Sequence, residues 1–184
     1  MRSLTIILCL VASLADAKPQ QYRLDTARSQ VGFSYIFGGT PKDGTMPVKS
    51  ANMMIDLDNV PDSQVSVALD ARATRAGFFF ATQAVKSPEV LFTDRFPEIR
   101  FRSTRITGDL SGATVVGQLT VRGVTRPVTL QAGLYRQRGT ELGDRSRLTI
   151  LLTGSISRAA FGAGGYGRYV DDQIDLRILA RIQK

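Results

Sequence analysis

Apolar and polar residues alternate with a period of two along most of this chain, in about eight stretches separated by short turns. That pattern restricts the fold to antiparallel β architecture. In the last stretch, Tyr169 to Ile182, the residues Ile174, Leu176, Ile178, Ala180 and Ile182 alternate with Asp175, Arg177, Leu179 and Arg181, so one face carries an apolar row. The others are Tyr22 to Phe37, Thr45 to Leu57, Gln64 to Ala71, Glu98 to Ile106, Ala113 to Val121, Val124 to Tyr135 and Arg147 to Ile156. Arg122-Gly123 marks a hairpin corner, and Pro127 is confined to an early or edge position because it has no N–H to donate. About eight strands with short turns suit a sandwich or a small closed barrel. Phe78 to Lys86, ahead of Ser87-Pro88, breaks the alternation and predicts a short helix between the third and fourth strands. Its three phenylalanines are too apolar to leave unpartnered in water, which predicts a lid over one end of the barrel.

Residues 1–17 read as a signal peptide: Arg2 opens it, Leu4 to Leu14 form a short apolar run, and Ala15-Asp16-Ala17 is a small-residue cleavage site. The apolar run is about half the length a spanning helix needs. Cleavage after Ala17 removes Cys9, the one cysteine, so residues 18–184 form a single domain stabilised by its core rather than by disulfides. The net charge is +8 and stays so after cleavage, because Arg2 and Asp16 leave together. Most of the basic residues are arginines dispersed along the strands. Export and this dispersal argue against nucleic acid and leave anionic envelope surfaces as counterparts.

The chain has no histidine, which removes His-based triads, the commonest transition-metal ligand and the usual general base near neutral pH. Gly162 to Gly167 spell G-x-G-x-x-G, but the chain runs from them into a strand rather than the helix a dinucleotide requires, so a loop is expected. Asp56, Asp58, Asn59 and Asp62 lack the central glycine and distal glutamate of a calcium loop and predict a solvated turn. Asp171-Asp172 with Asp175 reads as the start of a strand. No catalytic residue, metal site or cofactor is expected.

Several motifs in order resemble the YceI-like family: Tyr22 to Asp25 with Ser29 to Phe33, Ser87 to Phe92 leading to Arg95 to Phe101, Leu119 to Leu130, and Ser157 to Gly162 with Asp171 to Ile174. The resemblance covers nearly all of the chain after the signal peptide. It implies an extended lipocalin-like antiparallel eight-stranded β-barrel, holding a long amphiphile such as a polyisoprenoid, an isoprenoid quinone or a fatty-acyl lipid. Phe33, Tyr35, Phe37, Phe79, Phe80, Phe92, Phe101 and Phe161 are the candidate ligand-binding wall. The chain departs from many relatives, which carry His at the positions of Arg28 and Phe37 and a polar Arg-Asp pair near Phe78 to Thr82.

The expected function is that of a periplasmic lipid carrier, not an enzyme, with the lipid as its partner. Transient contact with an anionic membrane surface and a homodimer complete the partner expectations. The alternatives are an envelope-stress or interaction protein using its basic surface, and an enzyme acting on an isoprenoid lipid.

Overall fold

The structure, a computed structural model, describes residues 19–184 apart from 138 and 142. The signal segment 1–17, with Cys9, lies outside the described residues. The strands are β1 (Gln20–Leu24), β2 (Gln30–Phe37), β3 (Thr40–Met46), β4 (Val48–Ile55), β5 (Gln64–Asp70), β6 (Glu98–Asp109), β7 (Gly112–Val121), β8 (Val124–Arg136), β9 (Arg147–Ser157) and β10 (Gln173–Gln183). One helix, α1, spans Phe79–Lys86. All ten strands join one antiparallel sheet in the order β1-β4-β5-β6-β7-β8-β9-β10-β2-β3, closed by pairing of β1 with β10.

Ten strands make eight staves. β10 pairs with β2 through Asp175 to Leu179 and with β1 through Ile182 and Gln183, so β1 and β2 lie end to end. β3 and β4 do the same, pairing with β2 and β1 respectively. The stretch expected as one strand from Tyr22 to Phe37 breaks because Asp25 takes the Arg28 N–H on both its backbone and its side-chain oxygen, which closes a local turn. The second stretch starts earlier than expected, at Thr40, and breaks at Pro47, which has no N–H to donate. The last strand begins at Gln173 rather than Tyr169, the residues before it being held in a turn.

These breaks change the position of the helix in the strand order. It follows β5 and precedes β6, not the third strand, because each of the first two expected strands is two. An eight-residue helix is marginal alone. The returning chain fixes it: Leu91 N donates to Val85 O, Phe92 N to Ser87 O and Thr93 N to Lys86 O. The corner at Arg122-Gly123 is as expected, with φ of 52° and 77°, the two positive values that a tight hairpin turn matching strand twist requires.

Candidate functional site

Inward residues of the staves enclose a cavity of about 290 Å³. Ile150 and Leu152 of β9, Leu176 and Ile178 of β10 and Val67 of β5 line it. All are half-buried rather than buried, because they face an open lumen instead of one another. Tightly packed residues close one end, around Val90, Leu91, Phe161 and Ala163. At the other end Tyr22, Met53, Ile55, Leu148 and Ile182 pack together. Among the described lining residues only Asp109 and Leu110 are exposed. They sit on the β6–β7 turn and mark the mouth, with Leu110 38% exposed.

Polar lining residues are few and nearly all internally satisfied. At the closed end Thr74 Oγ1 donates to Ala71 O at 2.8 Å. Arg158, 7% exposed, donates to Asp171 O, Ala163 O, Gly165 O and Val170 O at 2.9, 2.7, 2.6 and 2.8 Å. Burial lowers its pKa, opposed by Asp172 and Asp171. These bonds tie down the loop carrying the glycine motif, which leads into β10 and has no helix to receive a nucleotide phosphate.

At the other end Asp56 is 2% exposed. Its Oδ1 accepts the N–H groups of Asp58 and Asn59 at 2.9 and 2.7 Å, and its own N–H donates to Ser63 Oγ at 2.9 Å. The expected solvated turn is thus organised by a buried carboxylate, whose Oδ2 has no partner. At the mouth Asp109 Oδ1 accepts from Ser111 N and Oγ at 2.8 and 2.5 Å, and those bonds hold its pKa below the usual value.

The eight candidate wall residues separate. Phe33, Phe101 and Phe161 line the cavity. Phe33 lies over Gly44 and Phe101 over Gly117, where a Cβ would stand 2.5 Å from the Phe101 ring; the rings therefore lie flat on the wall and leave the lumen open. Tyr35 is buried in the core rather than among the lining residues and donates to Ala76 O at 2.8 Å, and burial raises its pKa. Phe37 is edge-on to Phe78 with ring centres 5.7 Å apart. Phe92 packs on Phe96. Phe79 and Phe80, 69% and 76% exposed, face away from the barrel, so the expected lid is not formed by them; Val85 of the same helix lines the cavity instead. Sequence reasoning missed Asp56, Arg158 and the aliphatic wall. The in-strand glycines Gly44 and Gly117 were the available signal, since glycine within a strand marks a close approach.

A YceI-like domain matches residues 22–182. The UPF0312 protein YE1254 of Yersinia enterocolitica is 28% identical over 123 residues, which are 66% of this chain and 60% of that protein. The chain therefore spans about three-fifths of that relative's length. Among solved structures, BcnA of Burkholderia cenocepacia superposes with a TM-score of 0.75 at 18% identity, covering 86% of this chain and 99% of its own. A polyisoprenoid binding domain from Saccharophagus degradans, implicated in plant cell wall breakdown, gives 0.64 at 11% identity, covering 88% and 97%. These two likenesses are of fold.

Proposed function

The chain belongs to the YceI-like family, and on that premise we propose that it is a binding protein for a long-chain amphiphilic lipid, a polyisoprenoid or an isoprenoid quinone. The observation that carries this reading is the lumen itself: aliphatic along its length, unfilled by its own side chains, and rimmed by exposed residues at one end. Burying a CH₂ group contributes about 0.8 kcal/mol, so a five-carbon isoprene unit contributes on the order of 3 kcal/mol before ordering costs. A tail satisfies such a lumen, while a polar head finds its partners only at the Asp109–Leu110 end. The polyisoprenoid-binding domain of Saccharophagus degradans shares the fold, which supports the same ligand class here.

The N-terminal segment supports export, and with it a periplasmic carrier beginning at Lys18 and assisted by no catalytic group or cofactor. Mass spectrometry of an organic extract, from protein expressed with residues 1–17, tests the reading. A stoichiometric long-chain lipid is the expected result, and a barrel that comes out empty and takes up no polyprenyl lipid when offered one overturns it.

A second reading, an interaction protein of the envelope, is favoured by one observation. Phe37, Phe78, Phe79, Phe80 and Tyr169 are exposed near one another. Arg75, Lys86 and Arg168 adjoin them in sequence and form no ion pair among the described residues. An aromatic crest flanked by free cations suits an anionic membrane surface. Adhesion to phosphatidylglycerol vesicles that weakens with salt supports this role; its absence at low salt removes it.

A further inference from the structure

An apolar lumen restricts where a head group can sit, and the residues there restrict what it can be. We propose that the mouth end of the lumen selects a hydroxyl head, an alcohol or phenol on a long apolar chain, and rejects a phosphorylated one; this rests on the lipid-binding reading above. Asp56 lines the lumen and is 2% exposed, yet its Oδ2 has no hydrogen-bond partner. A carboxylate oxygen accepts hydrogen bonds, and a buried acceptor left unpaired is costly, so this oxygen calls for a donor. A hydroxyl supplies one; a fully ionised phosphate or a quinone carbonyl does not.

Charge at this end points the same way. Asp109 stands at the rim as a second carboxylate, held by the hydroxyl and amide of Ser111. Among the described residues no basic side chain lines this end. Arg158, the one cation among the described lining residues, belongs to the closed end and has four donors committed to carbonyls. Of the arginines on the neighbouring loop, Arg145 is paired with Asp58 and Arg136 donates to Thr140 O. Among the described lining residues a phosphate at this end would meet two carboxylates and no cation, although the molecule as a whole is basic.

The test titrates geranylgeraniol and geranylgeranyl phosphate against the delipidated protein by calorimetry. The alcohol is expected to bind at least about tenfold more tightly, because like charges facing each other in a binding site are strongly unfavourable. Asp109→Asn, an exposed position, should strengthen phosphate binding severalfold and so narrow the preference for the alcohol. Asp56→Asn keeps an acceptor for the turn, removes the charge and puts a donor where the free oxygen stands, so it should narrow the advantage of the alcohol over the phosphate by roughly tenfold. Urea midpoints of both variants accompany the titrations. If Asp56→Asn does not fold, the ligand pair on the parent and on Asp109→Asn decides. Equal affinities, or tighter phosphate, overturn the head-group selection and leave lipid binding standing. Failure of both ligands to bind, together with an empty native extract, overturns lipid binding itself.

Discussion

Arg158 brings a charge into the barrel wall and, among the described residues, meets no carboxylate within ion-pair distance. Its guanidinium instead collects four backbone carbonyls from the loop between β9 and β10. Arg158→Met would leave those acceptors unpaired and should cost about 3 kcal/mol or more, read as a lowered urea midpoint. Arg158→Lys should fail to restore it, since an ammonium is a point charge without the planar fork. Asp172 ties the same loop by accepting the Ala159 N–H at 2.8 Å, and hydrogen bonds from Ser157 and that amide lower its pKa. A depressed carboxylate pKa makes the contribution present above the unfolded value and lost as pH falls through the folded one. Lower protection of the Ala159 amide, relative to its intrinsic exchange rate at each pH, is therefore expected below the usual aspartate range, and unchanged protection there would remove this role. Gly117 acts through what it lacks. Gly117→Ala would push against the Phe101 ring and the Arg102 carbonyl, and should destabilise by about 1–3 kcal/mol. Adding Phe101→Ala should recover part of that loss, but not the part due to the carbonyl.

Among the elements, α1 shows how sequence can place a segment correctly and still misjudge its faces. The break in alternation located the helix to within a residue. The three phenylalanines then suggested a lid, since apolar residues usually seek cover, but only Val85 reaches the lumen. Phe79→Ser with Phe80→Ser should leave the urea midpoint of delipidated protein within about 0.5 kcal/mol, as expected for exposed positions. Unchanged lipid affinity, with loss of any adhesion to anionic vesicles, is the matching outcome in binding. A collapsed midpoint would show that these rings are core after all. The strands were legible for a firmer reason, because period-two alternation survives in every stave. Their breaks at Asp25 and Pro47 were less so. Both residues are ordinary turn signals, and the inward row changes parity between Leu24 and Val31 and again between Met46 and Met53, but one expected strand laid over both sides hides the shift.

At the scale of the whole barrel, a wall facing an open lumen and a wall facing a solid core have the same alternation, and that is why the fold could be read while the site could not. Phe33 and Phe101 were visible as inward aromatics, but their flat placement depends on glycines across the sheet, a relation fixed only once register is known. The aliphatic residues that make most of the cavity carried no mark distinguishing them from core. An unfilled lumen has a consequence for stability, because a ligand that binds only the folded barrel raises its apparent stability by mass action. At a free concentration of one hundred times Kd the gain is about 2.7 kcal/mol. The affinity setting that scale should climb with tail length while each added isoprene unit still finds apolar wall, by up to about 3 kcal/mol per unit before ordering costs. It should stop climbing when the tail reaches the closed end packed by Phe161, which is 2% exposed. Urea midpoints of delipidated protein with prenols of increasing length, each at the same free concentration, measure this directly. A rise followed by a plateau is expected of a lumen closed at one end. No dependence on length would mean that the tail lies outside the barrel.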